Sequence, residues 1–108
     1  MIDLNHEEFW ILLLNNANKL IKKEQISNGG LGSVIADPKV IFKKAIDHRA
    51  TAIILVHNHP SGNCFPSKQD LHLTEKLVSG GKVLDIIVSD HIIIAANQYY
   101  SFADEGDL

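Results

Sequence analysis

Residues 51–56, TAIILV, are apolar after the leading threonine, rich in β-branched side chains, and run directly into His57. An unbroken run of this kind suits a strand buried on both faces, and hence the centre of a sheet. A central strand requires neighbours on each side and cover on its faces, so the rest of the chain must supply strands and amphipathic helices. Residues 9–16 (FWILLLNN) give a second apolar run, read as another buried strand. Asn15, Asn16 and Asn18 mark a turn, and residues 19–26 alternate weakly as the return strand of a hairpin. Asp37 and Pro38 form an N-cap and first helical position, with Val40, Ile41, Phe42, Ala45 and Ile46 spaced for one buried face. His48 and Arg49 fall in the last turn, where positive charge suits the helix dipole. Ser67 opens a second helix with Leu71, Leu73, Leu77 and Val78 as its buried set, and Gly80 with Gly81 is expected to stop it. Residues 83–88, 91–96 and 99–102 read as three short antiparallel strands, parted by turns at Ser89-Asp90 and Asn97-Gln98. Residues 83–96 then offer an exposed sheet edge. The expected class is α/β, a mixed sheet with helices packed against it.

The 108 residues suffice for a single domain, 1–108, with one core. No apolar run approaches the roughly 20 residues that span a bilayer, so no membrane partner is expected. Cys64 is the only cysteine, which excludes an intrachain disulfide and agrees with a reducing, cytoplasmic setting. The net charge of -3 argues against a domain that holds nucleic acid by neutralising phosphates. Residues 1–6 read as a polar, fraying end. The glycine-rich stretch SNGGLGS lacks the following Lys-Ser or Lys-Thr of a phosphate cradle and reads as a turn.

The chemistry concentrates in HNHPSGNCFPSKQD, residues 57–70. Side chains at i and i+2 of a strand share a face, so His57 and His59 project together while Asn58 points away. A Pro-Ser-Gly turn lets the chain double back, so that Asp70, in the first turn of the next helix, completes a His, His, Asp set. Three protein donors leave one tetrahedral position open, the pattern of a catalytic zinc. Ser67 and Asp70 also have the spacing of a capping box, which is compatible with that role. A hydrolase of this type needs a base, and Glu7 and Glu8 are the acidic pair leading into the first strand; adjacent residues face opposite sides, so only one can serve. Asp90 and His91 read as a turn aspartate and a strand-entry histidine in preference to a pair that orients a ligand. His72 points away from the site, and His6 is solvated. Cys64 fills the loop.

These residues resemble a known family. His57-x-His59, seven residues, Ser67, two residues, Asp70 is similar to the JAMM motif of the JAB/MPN metalloproteases. Glu7-x-Phe9 upstream, Asp37-Pro38 with Ile41-Phe42 between, and Asp90-His91-Ile92-Ile93 with Tyr100-Ser101-Phe102 downstream are similar to the RadC branch, long labelled as DNA repair proteins. The resemblance covers residues 7–102. It implies an MPN/JAB, cytidine-deaminase-like fold with a curved mixed sheet flanked by helices. It implies Zn2+ on His57, His59 and Asp70, Glu7 as the base that activates the attacking water, and Ser67 as hydrogen-bond donor to the oxyanion. The expected activity is a zinc metallopeptidase acting on a peptide or isopeptide bond of a protein or peptide substrate. The alternatives are a non-catalytic MPN-like interaction module and a DNA repair-associated role carried by the family label. RadC proteins usually carry an N-terminal helix-hairpin-helix region, which this sequence lacks, so a DNA association rests on that label alone.

Overall fold

A computed structural model describes residues 5–28 and 36–108. β1 (Glu8–Leu14) and β2 (Leu20–Asn28) form a hairpin, followed by α1 (Pro38–Asp47), β3 (Ala52–Asn58), α2 (Lys68–Leu84), β4 (Ile87–Ala95) and β5 (Gln98–Ser101). The strands make one sheet in the order β2-β1-β3-β4-β5, with residues 52–56 of the apolar run inside its central member. β3 and β4 are parallel, and the other neighbours are antiparallel. Parallel neighbours need a long crossover, which α2 provides. The class is α/β with a mixed open sheet, as the sequence indicates.

In the β1–β3 ladder Phe9, Ile11 and Leu13 stand opposite His57, Leu55 and Ile53. With Val88 these side chains form the face against which Ile41, Phe42 and Ala45 of α1 and Leu77 of α2 pack. Both helices therefore cover the same face. On the other, Trp10, Leu12, Ile54, Ile92 and Ile94 are half-buried. β1 is thus not enclosed on both sides as its unbroken apolar run suggests, because residues favoured on a pleated, half-buried surface give the same run.

Asp37 caps α1 by accepting from Lys39 N–H at 2.9 Å, with Pro38 at the first position. Only Ile41, Phe42 and Ala45 of the expected face are buried; Val40 and Ile46 are 40% and 55% exposed. His48 is the C-cap, and Arg49 lies beyond it in the left-handed region at φ 55°. The expected stop at Gly80 and Gly81 is corrected: α2 runs through both and ends at Asp85, at φ 56°, where Ile86 N–H donates to Gly81 O. The glycines serve close approach instead. A Cβ on Gly80 would lie 2.9 Å from a Phe42 ring carbon, and one on Gly81 would lie 2.2 Å from the Ile86 carbonyl oxygen. Leu71 is also corrected, being 44% exposed, while Thr74 is buried.

The continuation of α2 absorbs Val83 and Leu84, so three antiparallel strands become two, the first parallel to β3. Ser89 is no turn. Ile53 pairs with Val88 and Ile54 with Asp90, which leaves Ser89 as an extra residue within β4. β4 is interior, and the sheet edges are β2 and β5. Asp90 likewise sits in mid-strand, its carboxylate accepting from the Ser101 hydroxyl at 2.7 Å and from Ala103 N–H at 3.0 Å. Residues 1–4 of the expected fraying end and residues 29–33 of the glycine-rich stretch lie outside the described residues. No helix among the described residues is long and apolar enough to cross a membrane.

Candidate metal centre

β3 delivers His57 and His59 to one end of the sheet, on the face that carries α2. His57 is buried against Phe9, with the rings stacked at 5.3 Å. His59 continues the ladder through its N–H to Ile94 O, after which the chain turns at Gly62, at φ 90°. That turn returns the Asn63 carbonyl to His59 Nδ1, 2.8 Å away. A carbonyl only accepts, so the proton is on Nδ1 and Nε2 presents its lone pair.

Ser67 then starts α2 and brings Asp70 to both rings. Asp70 Oδ1 lies 3.2 Å from His57 Nε2, Oδ2 lies 3.1 Å from His59 Nε2, and the two imidazole nitrogens are 3.1 Å apart. A tetrahedral ion with bonds of about 2.0–2.1 Å holds its donors about 3.3 Å apart. The donor types and their spacing therefore fit a zinc-like ion. The capping box is present too: Ser67 Oγ accepts from Asp70 N–H at 3.1 Å, and Asp70 Oδ2 accepts from Ser67 N–H at 2.8 Å. Cap and donor set coexist because one carboxylate has enough lone pairs for both. Burial opposes the charge on Asp70, yet the adjacent His57 ring and the hydrogen bond from the Ser67 backbone outweigh it and hold the carboxyl below the usual range.

Glu7 lies on the same side. Its carboxylate and the donor nitrogens of His57 and His59 all fall within 4.8 Å of one another, a second grouping able to hold a cation. Glu8 faces the other way, buried, with its carboxylate accepting from Trp10 Nε1 at 2.8 Å. Asn58, fully buried between the two histidines, clips this segment in place. Its Oδ1 accepts from Glu8 N–H and its Nδ2 donates to His6 O, both at 2.7 Å, so it grips the backbone on either side of Glu7. Glu7, Ser67, His57, His59 and Asp70 line a cleft of about 690 Å³ whose apolar wall includes Phe9, Pro60 and Leu73.

His91 corrects the sequence reading. It is fully buried in mid-strand, with Nε2 2.8 Å from His57 Nδ1, Nδ1 2.6 Å from Thr74 Oγ1, and its ring stacked on Phe102 at 4.6 Å. The extra residue at Ser89 is responsible, since it pairs His91 with Leu55 and so turns it to the His57 side; in unbroken register Asp90 would stand there. Burial, reinforced by the nearby His57, lowers the His91 pKa to about 3. The signal available in the sequence is a lone histidine inside the apolar stretch IIVSDHIIIA. Away from the site, His72 is exposed on α2, and His48 Nδ1 bonds the Lys44 carbonyl at 2.9 Å. Cys64 is buried in the loop, and His6 is exposed with its carbonyl held by Asn58.

A family model for the RadC-like JAB domain matches residues 1–107. The chain belongs to that family. Among RadC-like relatives, a UPF0758 protein of Flavobacterium johnsoniae is 49% identical over 104 residues, which cover 96% of this chain and 45% of the relative. A UPF0758 protein of Porphyromonas gingivalis is 47% identical over 98% of this chain and 47% of its own length. The UPF0758 protein YeeS of Escherichia coli is 44% identical over 98% of this chain and 72% of its own length. The chain thus spans less than half of the first two relatives. Members of this family share the JAB domain, and in this one two histidines and nearby carboxylates form a grouping able to hold a metal ion.

Proposed function

We propose that this chain is a zinc-dependent metallohydrolase that cleaves a peptide or isopeptide bond in a protein or peptide substrate. The observation that carries the reading is the triangle of His57 Nε2, His59 Nε2 and the Asp70 carboxylate, with edges of 3.1–3.2 Å, opening on a cleft that also holds Glu7. Membership of the RadC-like JAB family supports it. His57 from β3, His59 just beyond its end and Asp70 from α2 would hold the ion. Zinc bound there supplies Lewis acidity, which polarises the scissile carbonyl and makes water nucleophilic near neutral pH. The Glu7 carboxylate takes the proton of the attacking water and returns it to the leaving amine. The Ser67 hydroxyl donates to the oxygen on which negative charge develops; its lone pair serves the cap, and its own proton is available for this purpose. Phe9, Pro60 and Leu73 limit water at the reacting bond.

The test is elemental analysis of purified protein together with turnover of a panel of peptide and isopeptide substrates. About one zinc per chain is expected, with loss of that zinc in His57→Ala and Asp70→Ala. Glu7→Gln keeps the metal and loses about 10²–10⁴-fold in turnover, the usual range for a general base. Wild-type protein that takes up no zinc when supplied with it would overturn the hydrolase reading and favour an interaction module. Undiminished turnover in Glu7→Gln would remove Glu7 as the base.

A further inference from the structure

His57 leaves its ring proton undecided on local grounds. The Asp70 carboxylate, 3.2 Å from Nε2, favours a proton on Nε2, which would close that nitrogen to a cation. The decision is made two contacts away, through His91 to Thr74. Thr74 is buried in α2, and its hydroxyl donates to the Asp70 backbone carbonyl at 2.8 Å, the i to i−4 bond common for threonine in helices. A hydroxyl has one proton, so toward His91 Nδ1, 2.6 Å away, Thr74 Oγ1 can only accept. His91 Nδ1 therefore carries a proton. The ring is fully buried and its two nitrogens meet only a hydroxyl and another imidazole, with no carboxylate to balance a charge, so it carries only that one proton and His91 Nε2 is an acceptor. At 2.8 Å from it, His57 Nδ1 must donate.

We infer that His91 and Thr74 are positioning residues that fix His57 as the Nδ1–H tautomer and so hold its Nε2 lone pair open at the candidate metal centre. The chain of bonds starts at one proposed donor, His57, passes through β4, and closes on the backbone of another, Asp70. With His59 committed in the same sense by Asn63, both imidazoles present lone pairs to a carboxylate. Three acceptors converging without a proton among them are mutually repulsive unless a cation joins them. The inference rests on the metal reading only for its purpose; the tautomer is a property of the metal-free chain.

The experiment is long-range 1H–15N correlation NMR of the imidazoles in metal-free protein at pH 9, where a histidine of ordinary pKa, about 6.5, is neutral. It is paired with zinc affinity measured by chelator competition. Wild type shows His57 and His91 protonated on Nδ1. In His91→Phe, close in shape, the His57 proton moves wholly or partly to Nε2 and the zinc dissociation constant rises about 10–100-fold, as for loss of a residue that orients a ligand. His91→Gln, whose Oε1 accepts from His57 while its amide donates to Thr74, restores the tautomer and most of the affinity. Should His91→Phe fail to fold, Thr74→Val carries the same expectation, because His91 is then free to place its proton on Nε2. An Nδ1–H tautomer of His57 that persists in either variant overturns the inference whatever the zinc affinity. A wild type with the stated tautomer but no zinc uptake upholds the relay and overturns the metal reading.

Discussion

Ser67 is asked to do two things with one hydroxyl, and they can be separated. As N-cap of α2, its Oγ accepts from Asp70 N–H at 3.1 Å on an exposed helix end. Replacing a capping serine by alanine costs about 0.5–2 kcal/mol, and the exposure of this end sets the expectation near 1 kcal/mol. Glycine at the same position costs only a few tenths, since the freed N–H is then reached by water. Neither residue can donate to an oxyanion. Ser67→Ala should therefore lower the unfolding free energy by about 1 kcal/mol, and Ser67→Gly by about 0.3 kcal/mol. In thermal unfolding the alanine variant loses about 4–8 °C, the scale for a domain near this size. Both variants lose the same factor in turnover, about 10²–10³, the usual value for one oxyanion donor. Urea titration of metal-free protein measures the first quantity, and initial rates on any substrate found active measure the second. If turnover follows stability, with Ser67→Gly active and Ser67→Ala not, the serine is a cap only and the donor role falls. If Ser67→Ala is as stable as wild type, the cap contributes nothing and the α2 argument fails.

The glycine pair in α2 should split. Gly80→Ala meets only the Phe42 ring at 2.9 Å, which can give way, and gains up to about 1 kcal/mol of helix propensity, whereas Gly81→Ala meets backbone at 2.2 Å and should lose about 2 kcal/mol net in urea unfolding. Asn58→Ala removes the two bonds that hold the backbone on either side of Glu7; zinc content should stay near wild type while turnover falls at least about 10-fold. Metal-free protein should also lose stability in moderate acid through His91. Its folded pKa, about 3, lies below the unfolded value of about 6.5, so its contribution is complete above that value and is lost as pH falls toward 3. The slope approaches about 1.4 kcal/mol per pH unit, and His91→Phe should remove most of it from the urea midpoints measured between pH 6 and pH 4.

Much of this site was legible because it is local. Strand periodicity alone put His57 and His59 on one face, and Ser67 and Asp70 are joined by helix spacing, so three donors from a 14-residue stretch could be brought together without knowledge of the fold. Parity likewise required Glu7 and Glu8 to face opposite ways. Which of the two enters the cleft depends on the antiparallel register that stacks Phe9 on His57, a long-range fact. The Gly80-Gly81 misreading has the same root, because glycine marks both a helix end and a place where another chain segment comes close. Phe42 supplies the second meaning at Gly80 only after α1 is docked, whereas at Gly81 the Ile86 carbonyl comes close through the turn that ends α2.

What the sequence by itself determined is therefore the central strand, the α/β class, and the order and type of the residues between His57 and Asp70, all governed by periodicities of two and 3.6 residues. Only the tertiary structure decided the direction of β4 and the orientation of His91. One extra residue at Ser89 inverts every side chain after it, and no local preference distinguishes an extra residue within a strand from a turn between two. The partner that gives the inversion its meaning, Thr74, lies on α2 and meets His91 only through the packing of that helix on the sheet.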